Sequence, residues 1–188
     1  MIADVRGYTT FTQERGDEEA GRLAGRFAQV SRAVVEDHRG HVLELRGDEA
    51  LVVFDSPRSA IRGAVALQQR FVEETIVDPS LPLTVGMGLD AGEAVAVEGG
   101  YRGGALNVAA RLCSLARAGE ELASREIVHL ALRVDGVRFT ERTARASVRY
   151  LGRASVLARS HLRRQPAAKP EEDEMVRTMR QSGRIMQW

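Results

Sequence analysis

The clearest periodicity in the chain runs from Asp17 to Asp37, where Ala20, Leu23, Phe27, Val30 and Val34 recur at three- and four-residue intervals. That spacing places one apolar stripe on an amphipathic helix of about five turns. Gly40 is expected to close it. Ahead of this helix, residues 1–6 predict a short strand, and Arg6-Gly7-Tyr8-Thr9 predicts a turn into helix. Behind it, 41–46 and 49–54 read as two strands joined across Gly47-Asp48, a hairpin with an acid at its tip.

Ser56-Pro57 supplies a hydroxyl cap and a proline at the first helical position, and Ile61, Ala64, Leu67 and Phe71 give the second long helix its buried stripe. Residues 77–82, with two prolines, predict a loop. Strands at 83–89 and 93–97 around Asp90-Ala91-Gly92 predict a second hairpin. Glycines 99, 100, 103 and 104 predict a flexible loop ahead of a helix over 105–118, with Gly119 at its C′ position. A short helix at 126–132 and strands at 137–140 and 147–151 follow. There is no internal repeat. Composition shifts at Gln165-Pro166-Ala167-Ala168-Lys169-Pro170, ahead of the acidic run Glu171 to Glu174. The expected division is a domain over 1–162 and a linker with a disordered tail over 163–188, a short partner-binding helix being the other reading of Met175, Met179, Ile185, Met186 and Trp188.

Composition narrows the class. At 188 residues, 44% hydrophobic and 28% charged, the chain has the size and apolar content of one folded domain. Its net charge of +1 supplies no field that would favour nucleic acid or an acidic membrane. The run from Ala50 to Phe54 falls far short of the ~18 apolar residues of a membrane span. Asp4 and Arg6 stand where a signal peptide would be apolar, and the lone Cys113 has no partner for an intrachain disulfide, so a cytoplasmic location is expected.

Chemistry is suggested at two places. Asp4 ends the first strand and Asp48 tips the hairpin. Neighbours in one sheet, they would offer hard oxygen ligands to Mg²⁺ or Mn²⁺ and substrate phosphates; otherwise each acid simply satisfies backbone N–H groups of its turn. Asn107 and Arg111 stand four apart and share a helix face. They suit phosphate and ribose oxygens, or else belong to an ordinary solvated face. Cys113 and the histidines at 38, 41, 129 and 161 form no metal-ligand spacing or nucleophile–base set.

Three motifs, Ala3-Asp4-Val5-Arg6-Gly7-Tyr8-Thr9, Leu45-Arg46-Gly47-Asp48-Glu49-Ala50 and Gly103-Gly104-Ala105-Leu106-Asn107-Val108-Ala109-Ala110-Arg111-Leu112, occur in an order and spacing that resemble the class III nucleotidyl (adenylate/guanylate) cyclase catalytic domain. The resemblance covers about residues 1–155. It implies a ferredoxin-like α/β sandwich with a mainly antiparallel sheet and flanking helices, working as a head-to-tail homodimer. It further implies a nucleoside triphosphate, GTP or ATP, as substrate and a 3′,5′-cyclic nucleotide plus pyrophosphate as products. By position, Asp4 and Asp48 of one protomer would hold two Mg²⁺ or Mn²⁺ ions, and Asn107 and Arg111 would come from the other. Backbone N–H groups of Arg6, Gly7, Tyr8 and Thr9 would help cradle phosphate.

Base selection departs from the pattern. Glu44 stands where adenylate cyclases carry lysine, four before the second acid, and resembles the guanylate-cyclase choice; it also suits an ion pair with a nearby arginine. A carboxylate accepts from guanine N1–H and its amino group, whereas adenine N1 has no proton to give. The second base-reading position, seven before Asn107, is Gly100, without a side chain. Arg149 and Arg153 are the candidates for gripping terminal phosphates, and Asp90 replaces a histidine common in the family. The alternative is a degenerate cyclase-homology module that dimerises or senses nucleotide without turnover.

Overall fold

Ile2-Ala3-Asp4-Val5 forms strand β1, and its alternation sorts the two faces of a sheet: Ala3 and Val5 enter the main core while Ile2 joins Ala109 and Cys113 on the opposite side. The computed structural model describes residues 1–98, 100–141 and 156–159. Helices α1 (Tyr8–Arg15) and α2 (Asp17–Asp37) follow β1, then strands β2 (Gly40–Arg46) and β3 (Glu49–Phe54), helix α3 (Pro57–Val77) and strand β4 (Val85–Leu89). Next come strands β5 (Val95–Val97) and β6 (Gly100–Arg102), helix α4 (Gly104–Leu115), strand β7 (Glu121–Ala123), helix α5 (Arg125–Ala131), and strands β8 (Arg138–Glu141) and β9 (Val156–Arg159).

Among the described residues seven strands make one sheet in the order β2-β3-β1-β4-β7-β9-β8, and of its pairs only β4–β7 is parallel. The succession β1-α2-β2-β3-α3-β4 is a ferredoxin-like core, so the expected sandwich with a mainly antiparallel sheet is what the chain adopts. Leu23 and Phe27 of α2 meet Ile61, Leu67 and Phe71 of α3 on one face, where the Phe27 and Phe71 rings stack at 5.5 Å. The Ser56 hydroxyl accepts from the Ser59 N–H, as its place before Pro57 predicts.

The other face carries α4. Strand β4 reads Val-Gly-Met-Gly-Leu: Val85, Met87 and Leu89 fill the main core, and the alternate positions facing α4 are glycines. A Cβ on Gly88 would lie 2.0 Å from the Ala109 carbonyl oxygen and 2.2 Å from the Cys113 nitrogen, so the helix backbone rests directly on the strand.

Several local expectations are corrected. Gly40 does not cap α2; the left-handed residue is Arg39, at φ 58°, and Gly40 opens β2 because the Phe54 ring fills the space of a Cβ. The second hairpin does not form: β4 is claimed by β1 and β7 in the sheet centre, which leaves β5 to pair with β6 in a separate two-stranded sheet. Part of the supposed glycine loop is thus strand β6. Helix α4 ends at Leu115, short of Gly119, whose N–H instead donates to the Val85 carbonyl at 2.8 Å in the turn to β7, a strand with no sequence signal of its own. The strand expected at 147–151 and the tail 163–188 lie outside the described residues.

Candidate functional site

Asp4 and Asp48 meet at one edge of the sheet. In the β1–β3 register Asp4 lies opposite Glu49, and the Val5 N–H donates to the Asp48 carbonyl at 3.0 Å. The two acids expected to act together are therefore neighbours. Asp4 is half-buried, and its carboxyl is pushed above the ordinary range, first by burial and then by the charges of Asp48 and Glu49, with Arg6 opposing. Arg6 Nη1 donates to Asp4 Oδ2 at 2.5 Å. Its Nη2 donates to the carbonyl oxygen of Cys113, inside the last turn of α4, and lies 3.4 Å from the Cys113 sulfur. The guanidinium rests over Gly86, where a Cβ would come within 2.5 Å of Nε.

Among the described residues no set of three or more His, Cys, Asp or Glu converges to hold a metal ion. Asp4 and Asp48 fit a cation of a different kind, a hard divalent ion that draws its remaining oxygens from water and substrate phosphate. Burial is the main cause of the raised Asp4 carboxyl, and the neighbouring charges of Asp48 and Glu49 add to it; a bound cation would offset that smaller part.

Beside the acids the chain turns into α1 through Gly7, at φ 79°. The Arg6 N–H donates to the Thr84 carbonyl at 2.7 Å, so it is not available to phosphate, which corrects that part of the expected cradle. The N–H groups of Tyr8 and Thr9 stand in the first turn, where a helix provides no internal acceptor. Tyr8 anchors the turn, its hydroxyl donating to the Ala20 carbonyl at 3.1 Å.

Helix α4 buries Ala109, Leu112 and Cys113 and exposes Asn107 and Arg111. The Arg111 guanidinium has no carboxylate partner among the described residues. An unpaired guanidinium next to a carboxamide on an open helix face is available to an anionic ligand or a second chain.

Glu44 and Gly100 come together although they are far apart in sequence. The β2–β3 register slips between Val42 and Glu44, and this bulge re-aims Glu44, which then lies opposite Leu51 and so shares the sheet face of Ile2 and α4. Its Oε2 pairs with Arg46 at 2.5 Å, and its Oε1 would be 2.5 Å from a Cβ on Gly100. The ion pair of Glu44 with a nearby arginine is formed, and Arg46 is the partner. Asp90 accepts from the Ser124 hydroxyl, and Arg149 and Arg153 lie outside the described residues. What the sequence reading missed is the Arg6 side chain as partner of Asp4; the i,i+2 spacing on a strand, which puts both on one face, was the available signal.

No family model matches the chain. Solved structures do. The adenylyl cyclase CyaB from P. aeruginosa superimposes with a TM-score of 0.69 over 84% of this chain and 89% of that one, at 20% identity. The guanylyl cyclase Cya2 gives 0.66 over 84% and 87%, at 22% identity. The fold is that of the class III nucleotidyl cyclase catalytic domain. An adenylyl and a guanylyl cyclase thus share this backbone fold. Among curated relatives, the serine/threonine-protein kinase pkn2 of Myxococcus xanthus is 31% identical over 132 residues, 70% of this chain, and "Putative adenylate cyclase 3" of Rhizobium meliloti is 31% identical over 122 residues, 63% of this chain. The cyclase-type chain spans 16% and 20% of the length of these two relatives. Among its described residues no helix is long and apolar enough to cross a membrane.

Proposed function

We propose that the chain is a nucleotidyl cyclase that converts a nucleoside triphosphate to a 3′,5′-cyclic nucleotide and pyrophosphate between two copies paired head to tail. The observation that carries this reading is the adjacency of Asp4 and Asp48 at one sheet edge, while Asn107 and Arg111 stand on the exposed face of α4, Arg111 with no carboxylate partner among the described residues. Asp4 and Asp48 of one copy hold two Mg²⁺ or Mn²⁺ ions, which when bound supply Lewis acidity toward the ribose 3′-hydroxyl and countercharge for the triphosphate. The first-turn N–H groups of Tyr8 and Thr9 bind phosphate oxygens. Asn107 of the other copy orients the ribose for in-line attack on the α-phosphorus, and Arg111 neutralises the charge that builds there. Glu44 accepts from guanine N1–H and its amino group, which favours GTP over ATP.

A second reading is favoured by the two arginine pairs: with Arg46 on Glu44 and Arg6 on Asp4, the domain binds nucleotide or its twin without turnover. Incubation of the protein with Mn²⁺ and GTP or ATP in turn separates the two. Cyclic product that disappears in Asp48→Asn supports the cyclase. Product undiminished in that variant overturns the metal role of Asp48, and nucleotide binding with no product from either nucleotide supports the regulatory module.

A further inference from the structure

Arg6 touches two parts of the molecule that the proposed cyclase reading assigns to different catalytic sites. Nη1 holds Asp4 Oδ2 at 2.5 Å, and Nη2 holds the carbonyl of Cys113, two residues beyond Arg111 on α4. The guanidinium is confined. Gly86 forms its floor with no room for a Cβ, the Cys113 sulfur lies 3.4 Å from Nη2, and Nε is buried with no hydrogen-bond partner among the described residues. A cation near the last turn of a helix is favoured by the partial negative charge of the carbonyls there, so this is a stable resting place for Arg6.

From this geometry we propose that Arg6 is a positioning residue that competes with a divalent cation for Asp4 and thereby links metal capture to the setting of α4, the helix that carries Asn107 and Arg111. The inference rests on the metal role of Asp4 in the proposed cyclase. A cation that takes Asp4 Oδ2 leaves Nη1 without its acceptor, and the guanidinium, fixed at its other end to Cys113, must rotate or draw on the end of α4. In a head-to-tail pair, Asp4 of a given copy belongs to one site, and α4 of the same copy belongs to the other. Metal entry at the first site then changes the placement of Asn107 and Arg111 at the second. The coupling is reciprocal: whatever alters α4 alters metal affinity at Asp4 by the same factor.

The test uses the full chain and Mn²⁺, with two readouts that need no turnover: binding by calorimetry, and hydrogen exchange of the amides of residues 112–116. In the wild-type protein Mn²⁺ is expected to change exchange in that turn. In Arg6→Gln the competing charge is gone, so Mn²⁺ binds about two- to fivefold more tightly, in keeping with the modest strength of a partly exposed ion pair, and exchange in α4 no longer responds. Arg6→Lys keeps the charge but cannot span two acceptors, so it loses the α4 response while keeping near wild-type Mn²⁺ affinity. Weaker Mn²⁺ binding in Arg6→Gln, or an α4 response that survives in either variant, overturns the inference alone. Mn²⁺ binding that is absent in the wild type, or equal in Asp4→Asn, overturns the metal role of Asp4 and the inference with it.

Discussion

Glu44 occupies the space that a side chain on Gly100 would need. Its Oε1 is 2.5 Å from the position of a Cβ there, and Gly100 adopts φ +134°, a conformation that L side chains rarely take. The carboxylate is thus held between Arg46 on one side and a bare backbone on the other. Gly100→Ala should push Glu44 away and strain the backbone, at a stability cost of about 1 kcal/mol in urea unfolding. If Glu44 reads guanine, the same variant should weaken GTP binding about tenfold in calorimetry, which is the loss of roughly one charge-assisted hydrogen bond.

Glu44 itself offers a separate test. Glu44→Gln keeps the shape and removes the charge, and it should reduce GTP binding by about tenfold while leaving ATP binding within about twofold. Equal losses for both nucleotides would show that the residue supports the fold and does not read the base.

Gly88 sets the height of α4 above the sheet. With the Ala109 oxygen 2.0 Å and the Cys113 nitrogen 2.2 Å from the place of a Cβ, Gly88→Ala must lift the helix backbone, because neither atom belongs to a side chain that can swing aside. Overpacking against backbone is expected to cost about 3 kcal/mol, read as a lower midpoint of chemical denaturation. On the proposed cyclase reading, cyclic product should fall further than folded fraction, since Asn107 and Arg111 move with the helix and positioning errors of about 1 Å cost rate steeply.

Glu121 carries a pH dependence. It is buried on β7, Oε1 has no partner among the described residues, and its carboxyl is pushed up to about 8, first by burial and with help from the neighbouring Glu120. Below the unfolded carboxylate range, near 4.5, both states hold the proton and its contribution to stability is complete. As pH rises from there toward about 8 the unfolded chain releases the proton and the folded one keeps it, so stability falls across this window. Urea unfolding across pH 5 to 8 should show that decline, and Glu121→Gln should flatten it and be the more stable protein at the upper end.

The two long helices were legible because each repeats its apolar stripe over 21 residues, and α3 announces its start with Ser56-Pro57. The hairpin around Gly47-Asp48 was legible for a local reason too: Gly47 adopts φ 62° in the turn, and a strand-forming segment lies directly on each side of it. Asp4 and Asp48 could be named from the motifs they sit in. Their contact could not be derived from either segment alone, because β1 and β3 pair across more than 40 residues of chain. The second hairpin failed as an expectation because 83–89 and 93–97 look like adjacent strands locally, whereas β4 gains more by entering the sheet centre between β1 and β7 than by pairing with an exposed neighbour.

The sequence by itself determined the helical and strand periods, the places where turns could form, and the residue types able to handle phosphate and a divalent ion, since all of these depend on side chains a few positions apart. Tertiary structure alone decided that Arg6 lies between Asp4 and α4, that Glu44 leans on Gly100, and that two glycines on β4 let Arg6 and the helix come so close. These are contacts between surfaces distant in the chain. They exist only after burial of the core has brought the strands together, and no local repeat encodes which atoms then meet.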